Sequence, residues 1–224
     1  MGIISVENTD HLFWLGRYSE RVYTTTRLFA DSYDHMIDLD VDFNSYEDFC
    51  KRLDIPNLYE SKEDFCNRYC FDETLGDSIV SNLMRAYDNA IVLREEIGSE
   101  PLSYIQLAVY AMNLAKKSES PLIELQKIID NILAFWGIVD DQIESENVRN
   151  IIKIGKRVER LDIYGRLELS RTELLREYHR LSGRIDRTCL KYNRKRLEKM
   201  NEILYQDTID YEQLVDEVDH LLEG

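Results

Sequence analysis

Helix breakers are scarce in this chain, which has three prolines and nine glycines in 224 residues. With Leu, Ile, Glu, Asp, Arg and Tyr making up much of the rest, that scarcity suits a mostly helical protein. Cysteine is also sparse. Cys50, Cys66, Cys70 and Cys189 include no C-x-x-C pair, and His11, His35, His179 and His220 are scattered. Neither a disulfide framework nor a metal-ligand spacing is written, and the cysteines read as reduced core or near-core residues. Positive charge is short, with 28 Lys and Arg against 43 Asp and Glu and a formal charge of −15. Nucleic acid and anionic membrane both need a positive footprint, so neither is expected as a partner. No apolar run approaches the roughly 18 residues of a spanning helix. No basic segment followed by an apolar stretch opens the chain, so the expected location is the cytoplasm. G-x-S-x-G, a Gly-rich phosphate loop and H-E-x-x-H are all missing, and no catalytic residue is named.

What is present is a motif, G-[RK]-x-x-E-R-x-x-x-x-x-R-L, that occurs twice. The first copy carries Gly16, Arg17, Glu20, Arg21 and Arg27; the second carries Gly155, Lys156, Glu159, Arg160 and Arg166. At 100° per residue, Gly155, Glu159, Asp162 and Arg166 fall within about 60° of one another. Ile151, Ile154, Val158 and Leu161 flank that stripe on one side, and Ile152, Ile163 and Leu167 on the other. The first copy repeats the layout between Leu12, Leu15 and Val22 on one side and Phe13 and Leu28 on the other. Charged residues in the middle of an apolar face predict two matched helices sharing a buried polar seam, with Gly16 and Gly155 at points of close approach.

The fold expected is all-α: a single domain over 1–224, a bundle of about 7–9 helices with an internal pseudo-repeat of the motif helix. The motif helices span about 6–37 and 146–182, the second with a break near Ser170 and a stop at Gly183. The acidic stretch Asp38–Asp42 ends the first. A short acidic helical insert covers about 43–72, where Ser45-Tyr46-Glu47-Asp48-Phe49-Cys50 and Ser61-Lys62-Glu63-Asp64-Phe65-Cys66 each open with a variant capping box. Asp77 is the expected cap of a helix reaching Ile97 before Gly98. Pro101 and Pro121 mark the first turns of helices over 101–117 and 121–138. A basic helix from about 184 to 204 and an acidic one from 208 to 222 complete the chain.

Three readings of the seam compete. In the structural one, an antiparallel pair crossing near residues 23 and 162 sets Glu20 against Arg166 and Arg27 against Glu159. In the second, two Arg and two Glu between helices clamp a carboxylate, phosphate or amino-acid-like ligand. The third, a di-iron carboxylate site, needs Glu-x-x-His, and Tyr23 and Asp162 stand where histidine should. No metal or cofactor is therefore expected.

The run Leu12-Phe13-Trp14-Leu15-Gly16-Arg17-Tyr18-Ser19-Glu20-Arg21, with Arg27-Leu28, resembles the opening signature of the alpha-E domain family. Asn89-Ala90, Arg94-Glu95, Ile97 and Glu100 resemble its middle motif, and Gly155 to Leu167 its late one. The chain departs from the pattern at Pro101-Leu102, where an aromatic is usual. The resemblance implies an all-helical protein acting beside ATP-grasp amide ligases and transglutaminase-like proteases. On that basis the expected function is a helical accessory component of a peptide (amide-bond) synthesis or modification system, not catalytic by itself. A second copy of the chain is a further candidate partner. The alternative function is a small-molecule-binding or catalytic domain built on a central Glu/Arg pocket. The candidate residues for seam or site are Gly16, Arg17, Glu20, Arg21, Arg27, Asn89, Arg94, Glu95, Gly155, Glu159, Arg160 and Arg166.

Overall fold

A computed structural model describes residues 5–38 and 46–222. The all-α expectation holds, and the described residues form eleven helices and no strand. They are α1 (Val6–Asp38), α2 (Tyr46–Leu53), α3 (Lys62–Phe71), α4 (Ile79–Val92), α5 (Arg94–Ile97), α6 (Ser99–Ala115), α7 (Pro121–Gln142), α8 (Glu146–Arg166), α9 (Arg171–Ile185), α10 (Arg194–Tyr205) and α11 (Tyr211–Asp219). Two splits carry the count beyond seven to nine. The helix expected to reach Ile97 breaks at buried Leu93, whose N–H turns to the Asn89 and Ile91 carbonyls. The second motif helix breaks after Arg166. There Glu168 adopts a left-handed φ of 51° and Ser170 and Glu173 form a reciprocal capping box that starts α9. A cap satisfies backbone donors that a continuous helix would otherwise bond internally, so it favours a fresh start.

Other boundaries move for similar local reasons. Ser78, not Asp77, caps α4 by accepting from Ser81 N. Gly98, at a φ of 84° that side chains rarely adopt, separates α5 from α6 and lets α6 begin two residues before Pro101. Gly183 does not end α9, which continues to Ile185. The basic helix starts only at Arg194, because Asn193 accepts from Lys195 N and Arg196 N, while Asn193 N is itself held by the Leu221 carbonyl at 2.8 Å. The Ser45 cap and the end of the acidic stretch after Asp38 lie outside the described residues.

The chain divides into two compact units, Met1–Arg17 with Ser145–Gly224, and Tyr18–Glu144. In the second, α6 packs along α7 and α4. Small Ala108, Ala111 and Ala115 are buried there, as are Ile128, Ile132 and Phe135. The insert is an aromatic cluster: Phe65 and Tyr69 stack 5.2 Å apart, and Phe49 sets its edge against both. Ser61 caps α3 by accepting from Asp64 N at 3.1 Å, so the second Ser-x-x-Asp copy does open a helix. Cys50 and Cys70 are buried and Cys66 is half-buried.

In the first unit α8 packs against α9 and α11, and α10 against α11. The start of α1 meets α8 backbone to backbone. A Cβ on Gly16 would lie 2.0 Å from the Ile152 carbonyl oxygen, and one on Gly155 would lie 2.1 Å from that of Phe13. The contact is reciprocal, since each glycine faces the residue three places before the other. Only a residue without Cβ fits. Cys189 departs from expectation: it is exposed, 3.6 Å from the Asn147 side-chain amide.

Gly16→Ala and Gly155→Ala should each destabilise by about 1–3 kcal/mol, since backbone must shift to admit the methyl. Gly183→Ala, with nothing within 4 Å of the added carbon, should instead gain about 0.5–1 kcal/mol from helix propensity. Urea melts of the three variants check the contrast; wild-type midpoints for the first two would refute the close contact.

Candidate functional site

The glycine contact brings the backbone of α1 near enough for Arg17 to reach across to α8. Its Nε donates to Glu159 Oε2 at 2.7 Å, and its Nη2 to Asp162 Oδ2 at 3.5 Å. Asp162 Oδ1 accepts from Arg166 Nε at 2.7 Å, one turn along α8. Arg166 Nη2 then donates to Asp219 Oδ2, on α11, at 3.2 Å. Glu159, Arg17, Asp162, Arg166 and Asp219 thus form a line of alternating sign. It starts at fully buried Glu159 and ends at Asp219, whose side chain is 37% exposed. Trp14 lies under the Arg17 guanidinium, 5.3 Å from centroid to carbon, adding a cation–π contact.

For Arg27 the expected pairing is corrected. The base at Glu159 within this unit is Arg17, ten residues before the Arg27 that was expected. Arg27 donates instead to the Tyr23 hydroxyl at 3.1 Å and lies over the Tyr23 ring. Arg166 is bonded within this unit by Asp162 and Asp219. The reason is register. The side-chain-free contact lies at Gly16 and Gly155, beside Arg17 and one turn before Glu159, and so brings that base to that acid.

The remaining candidates are described within their own units. Glu20 is buried and accepts from Thr24 Oγ1 at 3.3 Å, and the Arg21 carbonyl accepts from Thr25 Oγ1 at 2.7 Å. Asn89 is half-buried and donates its amide to the Arg85 carbonyl. Arg94 and Glu95 are exposed on the short α5. Arg160 lies 3.6 Å from Glu177 of α9. Asp162 and Asp219 were absent from the sequence-derived set. Asp162 stands four residues before Arg166, a legible helical pair, whereas nothing local announces Asp219.

Burial first, then neighbouring Glu159, pushes the Asp162 carboxyl above its ordinary range, with Arg166 and Arg17 opposing and Asp219 adding to the rise. Among the described residues no group of three or more His, Cys, Asp or Glu is placed to hold a metal, and no helix is long and apolar enough to cross a membrane.

An all-helical chain built around paired Glu-Arg helices is the class this geometry defines. Residues 7–200 match the Alpha-E family, described as a predicted alpha-helical domain with a conserved ER motif, and the chain belongs to that family. Its two Glu-Arg dipeptides are Glu20-Arg21 and Glu159-Arg160. No curated protein and no solved structure matches the chain.

A buried charge stripped of its partner costs about 3–5 kcal/mol, and removing both partners costs less than the sum. Glu159→Gln and Arg17→Met should therefore each destabilise strongly, with partial rescue in the double variant, while exposed Glu198→Gln stays within about 0.5 kcal/mol of wild type. Additive losses in that cycle would rule the pair out as a coupled unit.

Asp162 gives a pH signature. An acid whose folded-state pKa lies above its unfolded value binds its proton more tightly in the native protein. Its stabilisation is complete below the unfolded value and is lost as pH rises through the folded one. The stability difference between wild type and Asp162→Asn should thus move in favour of the variant as pH rises from about 4. A pH-independent difference, or one moving the other way, would contradict the raised pKa.

Proposed function

We propose that this protein is a cytoplasmic helical accessory component, without chemistry of its own. It acts with an ATP-grasp partner that forms amide bonds in a peptide synthesis or modification system. The observation that carries the non-catalytic part is the engagement of the charges around Glu159. Arg17 and Arg166 are bound by Glu159, Asp162 and Asp219. Charges matched in this way hold helices in register; a catalytic acid or base needs a proton it can exchange with substrate. Support for the partner comes from the family resemblance of residues 12–28, 89–100 and 155–167. A transglutaminase-like protease or a second copy of this chain would serve the same accessory role.

A ligand-binding reading draws on one observation: Arg17 and Trp14 also line a cleft of about 570 Å³ with Thr9, Asp10, Cys189 and Lys191. In that reading the outer edge of the Arg17 guanidinium meets a small anion.

Affinity purification of the tagged protein from its native host, followed by mass spectrometry, should recover an ATP-grasp or transglutaminase-like protein in stoichiometric yield. Recovery of neither would sink the accessory reading.

A further inference from the structure

A second charge cluster, within the same unit, has the opposite balance. Lys153, Arg157 and Arg160 recur at helical spacing on α8; Glu177, Arg180 and Arg184 do so on α9, with Arg176 beside them. Arg184 Nη1 donates to Asn150 Oδ1 at 3.0 Å and Arg157 Nη1 to Glu177 Oε2 at 2.6 Å. Seven residues forward on α8 correspond to seven residues back on α9, so the helices run antiparallel and the two basic stripes face each other.

Glu177 is the carboxylate shared by Arg157, Arg176 and Arg180. It is fully buried, and Arg157 occupies one of its oxygens. The other takes Arg180 at 3.1 Å and Arg176 at 3.2 Å, with Arg160 at 3.6 Å. One carboxylate neutralises one guanidinium, so Arg157, Arg176 and Arg180 together leave surplus positive charge, to which Arg184 adds. In a chain of formal charge −15, this concentration of arginine is not a generic basic surface. Donors are in surplus as well. Each guanidinium carries five N–H groups in a fixed fork. Arg157 Nε and Asn150 Nδ2 are buried with no hydrogen-bond partner, and such orphans are uncommon in native interiors.

The titration directions agree. Burial, then Arg184 and Arg157, bring Lys153 down to about 8. Burial also lowers Arg157, with Arg160 and Arg180 adding to the fall against the pull of Glu177. Burial alone would raise the Glu177 carboxyl, yet Arg157, Arg160 and Arg180 hold it below its ordinary value.

We infer that the α8–α9 arginine cluster is a binding site for a phosphoryl group, held by Arg157, Arg176 and Arg180 with Glu177 as the fixed anion that aims them. A phosphoryl group carries close to two negative charges on three acceptor oxygens, matching both the surplus charge and the splayed guanidinium forks. A lone carboxylate supplies half that charge. Access is open, because the Arg176 and Arg180 side chains are 49% and 46% exposed while Glu177 stays covered. The phosphoryl group can come from inorganic phosphate or from a phosphate ester such as a nucleotide.

The full chain is titrated with inorganic phosphate, pyrophosphate, ADP and adenosine at constant ionic strength held by sodium chloride. Calorimetry and thermal melts provide the readouts. Phosphate should bind at millimolar concentration or below and raise the melting temperature. Arg176→Gln with Arg180→Gln should weaken binding at least tenfold, whereas the charge-matched exposed control Lys195→Gln with Lys117→Gln should not. Removing two mutually repelling surface arginines should leave the phosphate-free melting temperature unchanged or higher, so the variant remains folded and testable. Phosphate and pyrophosphate binding without further gain from ADP identifies the free anion; tighter binding of ADP with none of adenosine identifies an ester. No binding of any phosphate species, or equal binding by wild type and the double variant, overturns the site. A lower phosphate-free melting temperature in the double variant overturns it too, since the arginines would then serve structure through Glu177.

Discussion

The backbone contact between α1 and α8 is the constraint on which the first unit rests. Gly16 and Gly155 each lie where a single carbon would collide with a carbonyl of the other helix. Helices ordinarily pack 8–10 Å apart, separated by their side chains. Removing the side chain at both contact positions lets the axes approach closely, so that a guanidinium from one helix reaches a carboxylate on the other without crossing solvent. The seam therefore follows from the glycines. A larger residue at either position would lengthen the 2.7 Å Arg17–Glu159 bond and also disturb the packing around it.

The buried charges beside that contact are tolerable because they are not an isolated pair. Desolvating one ion pair can cost more than its mutual attraction returns. Here three carboxylates and two guanidiniums alternate, so every interior member has opposite charge on both sides, and the line ends at an exposed acid where water does the remaining solvation. The excess of one acid falls on Asp162. It lies next to Glu159 as well as between the two arginines, and its carboxyl is pushed upward.

Much of this was legible from sequence, and the limit was register. Apolar positions around the motif predicted long helices over 6–37 and 146–182, and α1 and α8 begin where the pattern begins. The glycines were identifiable as close-approach points because a small residue inside a charged, apolar-flanked stripe has no other evident packing use. The partner of Glu159 was not legible. Seven-residue spacings within each motif, such as Glu20 to Arg27, suggested a pairing centred past the glycines, whereas the contact centres on them. Helix ends were missed where a cap competes with propensity. Asn193 delays a basic helix that the charge pattern alone would start earlier, whereas the break expected near Ser170 is the one its capping box makes. The line's end at Asp219 depends on α11 docking beside α8, a tertiary fact without a local signal.

The two charge clusters of this unit illuminate each other. Both are built on α8 and both hold a carboxylate with no exposed surface, Glu159 in one and Glu177 in the other. From Glu159 the bonded line alternates acid and base and runs out to a solvated aspartate. Around Glu177 the bases outnumber the single acid, and the surplus sits on half-exposed arginines. Net repulsion among cations costs stability unless an opposite charge is supplied from outside. An arrangement serving the fold alone would be relieved by a second acid within reach, in a chain with 43 acidic residues available. Among the described residues none is bonded to Arg157, Arg176 or Arg180 other than Glu177 itself. The charge that balances the first cluster is built into the chain, whereas the second is completed by an anion from solution.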